Sequence, residues 1–330
     1  MPDKVVVTHW VDEDVLACLR RFAEPVAPEE RTVLSRAEVL AQARDASAVL
    51  ACMADRVDEE FLAACPRLRV ISAALKGFDN FDADACARHG VWLTIVPDLL
   101  TEPTADLAVA LTLDVTRRVT EADRHVRAHG FAGWRPTFYG SGLTGATVGL
   151  LGMGEVGRAV ARRLAGFGCA LRYADPRPLP PEEERRLGAR RLELGDLLAT
   201  SDIVLALLPL TAETHHLLDA AALARCKPGA YLVNVGRGSV VDEHAVAGAL
   251  SAGTLAGYAA DVFELEDWAL PDRPDRIPPA LLAHPRTVFT PHLGSAVAAV
   301  RREIGFAAAR QIEQVLAGER PDHPVNEPAR

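Results

Sequence analysis

The stretch VGLLGMGEVGRAVARRL, residues 148–164, decides the fold. An apolar run leads into Gly152, and Gly154 and Gly157 follow at the spacing of a turn that opens a helix. In that setting the first glycine turns the chain and the second lets backbone approach a pyrophosphate. The third lets the helix lie close on the strand. The helix start then offers unpaired N–H groups to the anion. A glycine-rich turn between any strand and helix would look similar, so order matters. Here a second strand, LRYAD, follows the helix and closes on Asp175, about twenty residues beyond the glycines. The pattern predicts a dinucleotide loop built from Gly152, Gly154, Glu155, Val156 and Gly157, with Asp175 on the ribose. A carboxylate there accepts ribose hydroxyls and repels a 2′-phosphate, which favours NAD over NADP. Arg177 reads as a solvated loop charge.

Working outward, strand-like and helix-like segments alternate along the whole chain. KVVVTHW, SAVLAC, LRVISAAL and VWLTIV precede the glycine motif, and DIVLALLPL, AYLVNVG, AGYAADVF and TVFTPHL follow it. This predicts an α/β fold of two Rossmann-like parallel-sheet units. Residues 101–129 read as one long helix, with Thr101, Pro103 and Thr104 at its start. A second amphipathic helix is expected from Ala296 to about Ala317. The Pro-rich tail ERPDHPVNEPAR is expected to be loosely ordered.

The 330 residues carry a net charge of -9, which argues against nucleic acid as a partner. The six cysteines have no C-x-x-C spacing, so neither zinc nor a disulfide framework is predicted. The acidic N-terminus is unlike a signal peptide, and no apolar run is long enough to span a bilayer. A cytoplasmic protein with no membrane partner is expected. His125 and His129 share a helical face without a third ligand, and no metal site is predicted.

Four polar residues stand at the ends of apolar runs: Lys76, Arg237, Glu266 and His292. Lys76 is one of only three lysines in a chain that otherwise uses arginine, and an unpartnered ammonium is costly to bury. Each residue taken alone has a plain structural explanation, such as an arginine bonding nearby carbonyls. Three of them at strand ends of one dinucleotide-binding unit point to an anion fork, a carboxylate and an acid–base imidazole.

NVGRGSVVDE, AADVFELE and TPHLGS resemble, in order, three signatures of the D-2-hydroxyacid dehydrogenase superfamily. KGFDNFD, VPDLLTEPTADLA, FYGSGL, DVFELEDWA and ACMADRVD narrow the resemblance to its phosphite (phosphonate) dehydrogenases. Lys76 and Asp267 stand where many hydroxyacid enzymes carry an aliphatic or small residue and a proline. The resemblance implies a catalytic set of Arg237, Glu266, His292 and Lys76, with His292 as general base and Glu266 on its other nitrogen. It places Lys76, Gly77, Met53, Arg237, His292, Arg301, Trp134, Tyr139 and Ser295 around phosphite. It adds Pro209, Arg237, Asp261 and His292 to the NAD contacts. It also implies a homodimer and a cofactor domain, residues 99–291, inserted between substrate-domain segments 1–98 and 292–330.

The implied reaction is oxidation of phosphite to phosphate, with hydride leaving phosphorus for the nicotinamide and water attacking phosphorus. The alternative within the superfamily is a D-2-hydroxyacid dehydrogenase or glyoxylate–hydroxypyruvate reductase that uses the same set on a carboxylate. An NAD-sensing binding protein similar to the C-terminal-binding corepressors is the alternative outside enzymology.

Overall fold

The apolar runs become strands of two all-parallel sheets. The computed structural model describes residues 2–328. The chain divides into two compact units: Met1–Leu100, Trp268–Pro271 and Ser295–Arg330 form one, Thr101–Asp267 and Asp272–Gly294 the other.

In the first unit, β1 (Lys4–Val7), β2 (Glu24–Val26), β3 (Ala48–Ala51), β4 (Val70–Ala73) and β5 (Trp92–Thr94) lie in the order β2-β1-β3-β4-β5. Register aligns Val6, Val49, Ile71 and Leu93 across four strands, and all four side chains are buried. That face packs on Val39, Phe61 and Leu62. The alternate residues Val5, Val7, Leu50 and Val70 pack on Ile304, Ala308 and Ile312 of the helix Ala298–Leu316. Burial on both faces is why these strands read as unbroken apolar runs rather than as an alternation.

The second unit holds β6 (Thr147–Leu151), β7 (Ala170–Ala174), β8 (Ala189–Arg191), β9 (Ile203–Ala206), β10 (Ala230–Asn234), β11 (Leu255–Ala260) and β12 (Thr287–Phe289). Their order is β12-β11-β10-β9-β6-β7-β8. The chain builds outward from β6 to β8, then returns to β9 on the other side of β6. In such a sheet, ligands bind beyond the carboxyl ends of the strands, at the point where the order reverses. That point is β6/β9, where Gly152 and Pro209 follow their strands.

Two expectations need correction. The helix expected over 101–129 is two helices, Thr101–Arg117 and Val119–His129, broken at Arg118, whose φ is 57°. The break is stabilised locally: Asp114 accepts the Thr120 N–H at 2.7 Å, and Arg118 grips Glu121 with two hydrogen bonds. The tail is also more ordered than its prolines suggest. Ile95 N–H donates to His323 O, Val325 N–H donates to Leu93 O, and Asn326 bonds Leu93 N–H and Val91 O. It lies along the otherwise open edge of β5, where unpaired backbone groups need partners. Residues 329 and 330 of that segment lie outside the described residues. The short strands β2 and β8 had no apolar run to announce them.

Candidate active site

The glycine loop is built as its spacing predicts. Gly152 has a φ of 95°, a backbone that side-chain-bearing residues avoid. A Cβ on Gly157 would lie 2.3 Å from Gly152 O, so only glycine lets the helix Glu155–Leu164 seat this close to the turn. Gly154, the residue before that helix, makes no side-chain cap, and a Cβ there would meet nothing within 4 Å. Open space over an uncapped helix start fits a pyrophosphate. Asp175 accepts the Met153 N–H and the Arg177 N–H, each at 2.8 Å. Those bonds fix the carboxylate beside the glycine turn and leave it lone pairs for hydroxyls. Glu155 and Pro209 are exposed and Val156 is half-buried.

Arg237, Glu266 and His292 follow β10, β11 and β12, three adjacent parallel strands, so they share one edge of the sheet. Asn234 shapes the Arg237 turn by donating to Arg237 O at 2.9 Å and accepting from Gly236 N–H at 3.1 Å. Glu266 accepts the Phe263 N–H with one oxygen, and its other oxygen is 2.6 Å from His292 Nδ1. Both side chains are about one-quarter exposed, and the bond to Glu266 engages the Nδ1 side of the imidazole.

His292 itself sits in the left-handed region, at a φ of 55°. Non-glycine residues there carry strain and persist when the surroundings hold them. Asp261 does the holding: its oxygens accept Leu293 N–H at 2.6 Å, Gly294 N–H at 2.8 Å and Thr290 Oγ1–H at 2.6 Å. Burial raises the pKa of Asp261 above the usual carboxylate range, and these donors oppose the shift. The residue expected to touch cofactor is thus also the anchor of the histidine turn.

The first unit carries the other cations. Lys76 and Gly77 follow β4, both half-buried, and Asn80 ties their turn to Met53 O at 3.3 Å. Arg301 donates to Ala74 O at 3.1 Å, so it belongs to the same strand end as Lys76. Its other nitrogen lies 3.3 Å from Nε2 of His9. His9 is 8% exposed, and burial, with Arg301 adding to it, pushes its pKa down to about 3. A neutral imidazole is therefore the neighbour of Arg301. Sequence reasoning missed His9, although it follows the β1 run as Lys76 follows β4. Ser295 is half-buried just before the last helix. Trp134 and Tyr139, expected to line the substrate pocket, are 75% and 71% exposed on the loop after Val119–His129. Within one chain they enclose nothing, because that loop buries almost none of its side chains. Among the described residues no cluster of His, Cys, Asp or Glu is arranged to hold a metal. No helix there is long and apolar enough to cross a membrane.

Residues 109–294 match the family model described as D-isomer specific 2-hydroxyacid dehydrogenase, NAD binding domain. The chain belongs to that family. The match covers the glycine loop and all three strand-end residues, and the dinucleotide it binds is NAD. A glyoxylate reductase of Thermococcus onnurineus is 37% identical over 332 residues, spanning 99% of this chain and 96% of that protein. Among solved structures, a D-isomer specific 2-hydroxyacid dehydrogenase described as putative, from Polaromonas sp. JS6 66, superposes with a TM-score of 0.88 at 31% identity. It spans 99% of this chain and 100% of that one. An NADPH-dependent glyoxylate/hydroxypyruvate reductase from Sinorhizobium meliloti, complexed with NADP and malonate, gives 0.82 at 30% identity. These two chains match over 98% and 97% of their lengths. This member of the 2-hydroxyacid dehydrogenase family is an oxidoreductase. The relatives' names do not extend the resemblance to phosphite enzymes; they lie with its alternative.

Proposed function

We propose that this chain interconverts a small 2-oxoacid and its 2-hydroxyacid, with glyoxylate the size class and NAD as the coenzyme. One observation carries the reading: the His292–Glu266 pair at 2.6 Å, on the same sheet edge as Arg237. Arg237 offers a planar fork to the substrate carboxylate. His292 gives a proton to the carbonyl oxygen in reduction and takes it back in oxidation, and Glu266 stabilises the imidazolium and fixes its tautomer. The nicotinamide ring, when bound, supplies or accepts the hydride. Asp175 disfavours a 2′-phosphate, which sets this site apart from an NADP-dependent relative. The reading includes a homodimer, supported by apolar side chains exposed on Val119–His129 and the loop after it.

A second reading, phosphite oxidation, is favoured by the first unit's cations. Lys76 and Arg301 at the end of β4 suit a compact dianion, to which water adds as hydride leaves. The other sign of that reading, Asp267 in place of proline, has a structural explanation. Asp267 is 2% exposed and accepts the Ser239 N–H at 2.7 Å, so the fold itself requires its carboxylate.

The test is absorbance at 340 nm with purified protein. NADH consumption with glyoxylate or hydroxypyruvate is expected, in contrast to NADPH. NADH formation from NAD with phosphite, and no reaction with oxoacids, would replace the first reading by the second. Turnover on neither, nor on D-lactate, glycerate or formate, would overturn both.

A further inference from the structure

Three buried carboxylates outside the catalytic pair lie where the Arg237 segment crosses the Glu266 segment. The crossing is tight: a Cβ on Gly238 would stand 1.9 Å from Phe263 C. Glu243 N–H donates to Glu264 Oε1 at 2.9 Å, and Glu264 N–H donates to Glu243 Oε1 at 3.0 Å. Four residues before Glu243, Ser239 N–H donates to Asp267. Glu243, Glu264 and Asp267 are 1%, 8% and 2% exposed. The outer end is held by His216. Its N–H donates to Ser239 O at 2.7 Å and its Nε2 lies 2.9 Å from Glu264 Oε2, although its φ of 47° is unfavourable for a side-chain-bearing residue.

We propose that Glu243, Glu264 and Asp267 form a carboxylate brace of positioning residues, closed by His216, which sets Arg237 against the Glu266–His292 pair. The proposal rests on the reading that those three side chains do the chemistry. Each brace carboxylate accepts a backbone N–H of the opposite segment, so losing one frees a buried donor and a segment carrying a reacting group. Carboxylates this close cannot all ionise freely. Burial, with Glu264, Asp267 and Glu266 adding to it, raises Glu243 to about 7. Its Oε2 is buried without a bonding partner, and Glu243 acts electrostatically on the buried hydroxyl of Tyr258. Glu264 faces His216, and Arg273 donates to Leu265 O within the same turn at 2.7 Å.

The experiment compares E243A, E243Q, E264Q and D267N with wild type in three readouts. These are kcat and KM on the substrate the enzyme turns over, NAD affinity by fluorescence, and the NMR titration of the His292 ring, identified by its absence in H292N. The brace predicts a loss in kcat of roughly tenfold to a hundredfold for E243A and E264Q, as misplaced groups give. NAD affinity should fall by much less than kcat, since most of the expected cofactor contacts lie on the glycine loop and Asp175 rather than on Arg237. E243Q should recover most of the E243A loss, because its amide oxygen still accepts the Glu264 N–H, whereas E264Q removes the carboxylate oxygen that faces His216. The His292 titration should move in E264Q and D267N. Wild-type kcat and an unmoved His292 titration in E264Q would overturn the brace. So would equal losses of NAD binding and kcat, which would mean a general structural role. Full turnover by H292N would instead overturn the functional reading, leaving the brace to be judged by the ring titration.

Discussion

His9 is the residue at which folding and charge oppose each other most directly. Its ring is buried at the end of β1 and its Nδ1 has no hydrogen-bond partner. Its pKa is about 3 in the fold against an ordinary 6.5. Between those values the folded form binds fewer protons than the unfolded chain, so stability rises with pH there. The contribution is fully present above 6.5 and is lost as pH falls toward 3, with a ceiling of about 5 kcal/mol at 1.36 kcal/mol per unit. His9→Gln, which keeps an acceptor for Arg301, should cost stability at pH 7 and lose that deficit by about pH 4. Urea unfolding at both pH values checks it, and a deficit independent of pH would refute the neutral buried imidazole. Arg237, Glu266 and His292 could be read from sequence because each ends an apolar run in a parallel sheet, where polar side chains have few structural duties. His9 stands in the same way after KVVVT, but a lone histidine carries no motif. Glu243 and Glu264 were hidden for another reason: a carboxylate that accepts backbone N–H groups is indistinguishable in sequence from one facing water.

Among the elements, the turn into the helix Glu155–Leu164 was legible, because Gly152 and Gly157 each answer a separate steric demand and Gly154 leaves the helix start open. Gly157→Ala would place a methyl group 2.3 Å from Gly152 O, and the atom it meets is backbone rather than a yielding side chain. The helix must then lift from β6, at about 1–3 kcal/mol for overpacking. NAD affinity should fall at least about tenfold, since the N–H groups that meet the pyrophosphate move with the helix. Gly166→Ala is the control: open space surrounds its Cβ and its φ is not positive, so it should be neutral or stabilising by up to about 1 kcal/mol. Thermal unfolding and NAD titration of both variants measure the contrast. Equal effects would mean that close packing at Gly157 is irrelevant to the cofactor. The break at Arg118 was not legible because its cause is an αL backbone held by Asp114 and Glu121, whereas no glycine or proline stands near it to mark a stop. The tail was misread for the opposite reason. Proline forbids a central strand yet tolerates an edge, and β5 needed an edge partner.

For the whole molecule, the sequence revealed two sheets and a dinucleotide unit, while which apolar side chains stay exposed had to wait for coordinates. The helix Val119–His129 has no buried residue, although Val119 and Val126 stand two turns apart on one face. Phe131, Trp134 and Tyr139 continue this apolar surface along the loop, each more than two-thirds exposed. Apolar residues concentrated in this way on a folded chain mark a surface that another molecule covers. A second copy is the occupant consistent with the proposed homodimer, and a closed two-fold pairing would bring each patch against its own kind. Light scattering should give twice the mass of one chain. V126D and F131E together should give one chain mass with NAD affinity intact, because neither residue lies in the glycine loop. If Trp134 or Tyr139 reaches the partner's substrate, that monomer will also lose turnover, and the loss will appear in KM. A wild-type monomer at micromolar concentration, active as such, would rule out the pairing and leave the exposed aromatics for a different protein.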